Sequence, residues 1–218
     1  RFTKDLKEDK DGAIWVASSS EGIYKINPST SILKIQTYFS DTLMLNDSLV
    51  IVRDTSVQDS IIFSYEVDKI AALNLNVNAL HFDQLNRLWF ASRLKGVGYY
   101  EKGEVVFIDK AKGLPSNDIR SIVEDEKGHL WIGTAGYGIA RVNLYADSLD
   151  LRVFNENDGL SSGNIYLMTF DEGGDLWVGC GRGVDRVSLD EEGSFKSIKT
   201  YGKADGFLGV EACQNAVI

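Results

Sequence analysis

Asp125-Glu126-Lys127-Gly128-His129-Leu130-Trp131-Ile132-Gly133 reads as a tight turn feeding a strand. An aspartate side chain opens such a turn by accepting backbone N–H groups, and Gly128 takes the left-handed position that side chains avoid. Ile122-Val123 before the turn and Leu130-Trp131-Ile132 after it are expected to pair as a hairpin. The glycine cluster Ala135-Gly136-Tyr137-Gly138 then returns the chain into a third strand over 139–143, and 151–155 supplies a fourth. The expected unit is a four-stranded antiparallel meander.

The same unit recurs. Trp15, Trp89, Trp131 and Trp177 each follow an aspartate, Asp9, Asp83, Asp125 or Asp171, by six residues. Gly22, Gly96 and Gly138 follow their tryptophans by seven residues and Gly183 by six, each leading a β-branched residue. The last two tryptophan spacings, 42 and 46 residues, fit one propeller blade each. The first, 74 residues, does not. Apolar runs at 49–53 and 60–65 suggest strands inside it, so 40–76 is expected to be a degenerate blade without tryptophan.

The fold class predicted is therefore all-β, a partial β-propeller of about five four-stranded antiparallel blades within one fragment. The expected blades are 2–39, 40–76, 77–118, 119–164 and 165–208, with 209–218 opening a further one. Five such units leave blade faces open, so self-association or the remaining blades of a longer chain are expected to cover them. The start without Met and the end on Asn215-Ala216-Val217-Ile218 point the same way, to a piece of something longer.

Bulk properties agree. The 218 residues are 44% hydrophobic, and 21 glycines against two prolines suit a strand-rich chain that turns on glycine. A formal charge of −9 lacks the clustered Lys and Arg that phosphate backbones or anionic lipid require, which disfavours nucleic acid and direct membrane contact. No apolar run reaches the roughly 18 to 20 residues of a membrane span. Cys180 and Cys213 are too few for a disulfide framework and are expected as buried thiols.

Gly113-Leu-Pro-Ser-Asn-Asp-Ile119, the parallel Gly159-Leu-Ser-Ser-Gly-Asn-Ile165 and the Asp-to-Trp run after each resemble the two-component regulator propeller repeat. That repeat is found in extracytoplasmic sensor domains of Bacteroidetes hybrid histidine kinases. The resemblance is best over 77–208 and thinner over 2–39. Gly206-Phe-Leu-Gly-Val-Glu211 is similar to the segment that enters the last blade of that family, before an immunoglobulin-like domain and a membrane helix. The resemblance implies a periplasmic sensor domain, an extracellular small-molecule ligand such as an oligosaccharide, and dimeric signalling through a kinase outside this chain.

Residues repeated once per blade are spread around a ring and cannot converge on one substrate. The four aspartates are accordingly assigned to the turns, and the tryptophans to packing between blades. Function in a repeat fold sits where the repeats differ, and the loop between second and third strands shares a face with the loop between blades. The candidate ligand-binding residues on that face are Arg93, Lys95, Asn117, Tyr137, Asn164 and Arg182, with Ser18 to Glu21, Ser116 and Ser162 beside them. Arg, Lys, Tyr and Asn side chains can hydrogen-bond and stack on a polar ligand.

No catalytic residues, metal site or cofactor is predicted. His129 is expected to be an exposed residue at a strand start, and His81 lies on a first strand without a third histidine to complete a zinc site. A nucleophile motif of the Gly-x-Ser-x-Gly kind is missing. The competing readings are a non-enzymatic sensor, a propeller lyase or glycosidase, and a scaffold for protein partners.

Overall fold

The computed structural model describes residues 3–19, 22–33, 43–45, 48–51, 62–69, 76–101, 103–144 and 150–206. The chain divides into two compact units, Arg1–Asn74 and Leu75–Ile218. Among the described residues every regular element is a β-strand apart from three single 3-10 turns.

The first unit holds β1 (Thr3–Glu8), β2 (Ile14–Ser18), β3 (Gly22–Leu33), β4 (Leu43–Leu45), β5 (Ser48–Ile51) and β6 (Ile62–Lys69). They form one sheet in the order β1-β2-β3-β6-β5-β4. This corrects the expectation of separate blades at 2–39 and 40–76. β3 pairs antiparallel with β6 from Tyr24 against Lys69 to Leu33 against Ile62, so the later strands extend the first sheet. Nothing in strand periodicity names a partner, because alternation fixes a face and not a neighbour.

The second unit holds three four-stranded meanders. The first is β7 (Val77–Phe82), β8 (Leu88–Ser92), β9 (Val97–Glu101) and β10 (Glu104–Ile108). The next is β11 (Ile119–Glu124), β12 (His129–Thr134), β13 (Ile139–Asn143) and β14 (Asp150–Phe154). The last is β15 (Ile165–Phe170), β16 (Leu176–Cys180), β17 (Gly183–Leu189) and β18 (Phe195–Tyr201). The expected blade start at 209–218 lies outside the described residues.

Packing follows from alternation along the second strand of each blade. Leu130 and Ile132 point one way and join Trp89, Ala91 and Val97 of the preceding sheet. Trp131 points the other way and joins Ile165, Met168, Leu176 and Val178 of the following sheet. A strand buried on both faces has no polar side to offer, which is why Leu130-Trp131-Ile132 is an unbroken apolar run. Trp131 stacks on Phe154 at 5.6 Å, and Phe154 stacks on Phe195 of the next blade at 4.3 Å.

The repeated aspartate and tryptophan form one hydrogen-bonded device. Asp125 Oδ1 accepts from the backbone N–H of Lys127 at 3.0 Å and His129 at 2.8 Å, while Oδ2 accepts from the Trp131 indole at 2.9 Å. The indole bonds of Trp15, Trp89 and Trp177 to Asp9, Asp83 and Asp171 measure 2.9, 2.7 and 2.8 Å. Asn86 holds the left-handed turn position with φ 61°, where the other three units use glycine. Each tryptophan N–H, a donor that burial would otherwise strand, is thereby satisfied within its own turn.

A cation lies over every one of these indoles. Lys25, Arg141 and Arg186 are the third-strand residues paired with Trp15, Trp131 and Trp177, and sit 5.1, 5.7 and 5.4 Å from the ring centroids. Trp89 pairs instead with Tyr99, and Arg87 supplies the cation at 5.5 Å. His129 is also corrected: it is largely buried, with Nδ1 2.9 Å from Asp125 Oδ2.

Candidate functional site

The first strands β7, β11 and β15 lie side by side in the second unit. Each breaks register at its second residue, between Val77 and Ala79, Ile119 and Ser121, and Ile165 and Leu167. Such a bulge takes one residue out of the alternation and re-aims its side chain. The re-aimed residues are Asn78, Arg120 and Tyr166. Asn78 Nδ2 donates to the Ile119 carbonyl at 2.9 Å, and the Arg120 guanidinium lies 4.8 Å over the Tyr166 ring. They thus form a row that passes from blade to blade.

At the end of the blades where these strands begin, two sets of loops interlock. The Arg93 N–H donates to Asn76 O and the Gly96 N–H to Asn117 O, so one loop clasps the lead into its own blade and the lead into the next. The pattern repeats with Ala135 N–H to Asp118 O and Gly138 N–H to Gly163 O. An added Cβ on Gly163 would come within 2.8 Å of Gly136 O, so the loops touch only because that residue has no side chain.

The six residues singled out in the sequence fall on this interlocked end. Arg93 is exposed, with Nε 3.9 Å from Asp118 Oδ1. Lys95 Nζ lies 5.8 Å over Phe107, and the exposed Tyr137 ring carries Lys110 Nζ at 5.6 Å. Asn117 is drawn inward, its Oδ1 accepting the Lys110 N–H at 2.9 Å. Asn164 is exposed, and Arg182 donates to Ser161 O at 3.3 Å. Ser116 and Ser162 cap backbone turns through their hydroxyls, whereas Ser20 and Glu21 lie outside the described residues. Sequence reasoning missed Asn78, Arg120 and Tyr166; the only signal was a polar or aromatic residue directly after the first β-branched residue of strands β7, β11 and β15.

The two ends of these blades differ in charge. At the interlocked end Arg93, Lys95, Lys110 and Arg182 are exposed and Arg120 is half-buried against Tyr166, while Asp118 faces Arg93 and Asp109 and Asp158 cap backbone N–H groups. At the opposite end a cleft of about 260 Å³ is lined by Glu124, Asp125, Glu126, Asp171 and Asp190, with Lys127 the one cation among them, over Phe170 and Leu189. Its aspartates accept turn N–H groups, and Glu124 accepts the Gln84 N–H at 3.1 Å. Burial, then the charges of Asp83 and Asp125, pushes the Glu124 carboxyl up despite the Gln84 bond. Among the described residues no cluster of three or more His, Cys, Asp or Glu side chains is arranged to hold a metal ion.

Residues 113–136, which run from the loop before β11 through the Asp125 turn and β12, match the family model two component regulator propeller. This stretch is a two component regulator propeller repeat. No curated protein matches the chain. Among solved structures, the extracellular domain assigned to a one component system of B. thetaiotaomicron is similar, with 17% identity and a TM-score of 0.59 over 91% of this chain and 25% of that one. The extracellular domain assigned to a hybrid two component system of the same organism has 18% identity and a TM-score of 0.51, over 92% of this chain and 31% of that one. Virginiamycin B lyase from Staphylococcus aureus has 15% identity and a TM-score of 0.54, over 92% of this chain and 55% of the lyase. At such identities the likeness is one of fold, the β-propeller. The chain spans about a quarter to about half of the length of these structures. Its repeat-bearing blade, β11 to β14, is also the blade that carries Arg120 and Tyr137.

Proposed function

We propose that this chain is a ligand-sensing propeller segment of a two-component sensor, lying outside the cytoplasm. Its ligand is an extracellular small molecule, and an oligosaccharide fits best. The observation that carries the reading is the two component regulator propeller repeat at 113–136, set in a blade whose loops interlock with those of its neighbours. The interlocked end gathers guanidinium, ammonium, amide and phenol groups, which suit hydrogen bonding and stacking on a polyhydroxylated ligand. Self-association or the blades of a longer chain are proposed to complete the ring.

The reading is non-enzymatic. Fold likeness to virginiamycin B lyase supports a second reading, a propeller lyase, for which the interlocked end would have to supply a general base and acid. Thermal unfolding of the 218-residue chain against a panel of oligosaccharides, with product analysis of each hit, separates the two. A ligand that raises the midpoint and is recovered intact supports sensing. Recovery of a cleaved product moves the chain to the lyase reading, and a panel without any shift overturns the saccharide.

A further inference from the structure

We propose that a second copy of this chain docks on the Trp177 face of the last blade through the Leu6, Ile14 and Val16 face of its own first sheet, which rests on the self-associating propeller segment proposed above. The joint being repeated is the one between the β11–β14 and β15–β18 sheets. One half of it is Trp131 with Ile139, Arg141 and Phe154, all at most 7% exposed. The last sheet carries that half again in the same strand pairings, with Trp177 for Trp131, Val184 for Ile139, Arg186 for Arg141 and Tyr201 for Phe154. Even the ring pair is kept: Tyr201 stacks on Trp177 at 5.7 Å and 18°, against 5.6 Å and 19° for Phe154 on Trp131. Burial is what differs. Trp177, Val184 and Tyr201 are half-buried and Arg186, held by Asp175 and Asp171, is exposed. Trp131, by contrast, meets Phe170 and Phe195 of the following sheet at 6.0 and 6.4 Å.

The other half of the joint is present on the first sheet. Ile122, Leu130 and Ile132 of β11 and β12 face the preceding sheet and are at most 6% exposed. Counted from the turn aspartates, Leu6, Ile14 and Val16 hold the same places in β1 and β2, and Leu6 pairs with Val16 as Ile122 does with Ile132. Yet Leu6 is 56% exposed, and Ile14 and Val16 are half-buried. Trp15, on the other face of β2, is buried, so one side of this sheet is the open one. A single chain therefore presents both halves of an apolar joint, and each half fits a second copy. Charge agrees with that pairing. The residue before the turn aspartate is the one laid toward the preceding blade: Phe170 reaches Trp131, and Glu124 takes the Gln84 N–H and feels the charge of Arg87, the cation over Trp89. In β1 this residue is the exposed Glu8, and the cation over Trp177 is Arg186. Glu8 of one copy thus comes to Arg186 of the other as Glu124 comes to Arg87, which sets the register of the joint.

The test is analytical sedimentation of the 218-residue chain. The weight-average mass is expected to rise between about 2 and 200 µM, because two different faces meet and the first joint uses up neither end. Leu6→Asp blocks one face and Val184→Asp the other, each by bringing an unpaired carboxylate into the joint, and each variant alone is expected to stay monomeric. Mixed in equal amounts they are expected to form a heterodimer and nothing larger, since each keeps the half that the other has lost. Glu8→Lys is expected to weaken association about tenfold at low salt. Circular dichroism identifies a variant that has failed to fold; Thr169→Arg, on the strand beside Trp177 and on the same face, then replaces Val184→Asp. A wild-type chain that stays monomeric over the whole range overturns the proposal. So does a folded single variant that still associates, or a mixture that does not. Saccharide sensing is read from ligand-induced shifts of the unfolding midpoint and stands or falls apart from these results.

Discussion

Arg141 Nη1 on β13 donates to the Gly193 carbonyl at 2.6 Å, joining the third strand of one blade to the hairpin tip of the next. The same nitrogen reaches Glu192 O at 2.7 Å, and Lys127 Nζ reaches Glu191 O at 2.7 Å, so the β17–β18 turn is held from outside its own sheet. Burial, with the nearby charge of Arg152, lowers the Arg141 guanidinium below its usual range against the pull of Asp125, Asp150 and Asp190. Arg141 is 4% exposed, and its removal takes from two carbonyls the donor they have here. Arg141→Met is expected to cost about 1–3 kcal/mol through those stranded acceptors, with Arg141→Lys intermediate. Scanning calorimetry of the two variants checks this, and an unchanged midpoint for the methionine variant would show that the tether is idle.

The turn aspartates give a pH dependence whose sign follows from their hydrogen bonds. At Asp171 the Trp177 indole and the Asp175 and Gly173 N–H groups hold the carboxyl below its ordinary value of 3.8, with Arg186 adding to the effect. At Asp9 burial pushes upward, but the Trp15 bond, the Ala13 and Asp11 N–H groups and Lys25 outweigh it. A carboxyl lowered on folding contributes stability that is complete above the unfolded value of 3.8 and is lost as pH falls through the lower folded value. The unfolding midpoint is therefore expected to fall in acid below about pH 4. In Asp171→Asn the amide cannot accept from both the indole and the backbone, so the variant starts lower at neutral pH and loses less on acidification. Urea titrations from pH 2 to 7 measure both slopes, and parallel curves for wild type and variant would count against the assignment.

How far the sequence reaches depends on whether an interaction is local. The Asp125 to Trp131 bond spans six residues, so turn, strand and indole partner lie in one readable stretch, and the same holds in the three other units. Long-range choices were hidden. The apolar runs at 49–53 and 60–65 mark where the strands at 48–51 and 62–69 lie, yet that β6 joins β3 is decided by pairing, which alternation does not encode. The bulges at Asn78, Arg120 and Tyr166 are register events between strands, invisible in a single strand's pattern. His129 differs for a related reason: Ala13, Arg87 and Asp175 at the equivalent positions suggest solvent, but the imidazole reaches back to its own aspartate, as the Arg87 guanidinium does to Asp83. Arg87 makes the complementary point, since it restores over Trp89 the cation that Tyr99 displaces from the third strand.

Glu124 carries the opposite sign to the aspartates. Its folded carboxyl is raised above 4.5 by burial and by Asp83 and Asp125, so the charged form is the costly one. Stability from this group is present at low pH and is lost as pH rises from 4.5 through the folded value. Glu124→Gln retains an acceptor for the Gln84 N–H and removes the buried charge, although it also gives up the contact of His81 Nε2 at 3.3 Å. The variant is expected to gain on wild type as pH rises from about 4 to 7. Chemical unfolding at those two values decides the matter; a variant that loses ground over the interval contradicts the sign.

Gly138 and Gly174 both hold positive φ, 78° and 80°, but for different reasons. A side chain at Gly138 would overlap the Phe154 carbonyl, where the chain leaving β14 crosses under the loop before β13. At Gly174 no atom lies within 4 Å of an added Cβ. Gly174→Ala therefore bears only the backbone cost of a left-handed residue, about 1 kcal/mol. Gly138→Ala adds displacement of a backbone segment that the loop clasps through Gly163, and is expected to cost about 3 kcal/mol or more. The comparison also reads out the interlocked end, because yielding at Phe154 shifts the lead into the next blade and with it Asn164 and Tyr166. Hydrogen exchange at the Gly138 and Ala135 amides, which donate to Gly163 and Asp118, should quicken in Gly138→Ala and stay slow in Gly174→Ala. Equal loss of stability in the two variants would mean that the loops are not braced against each other.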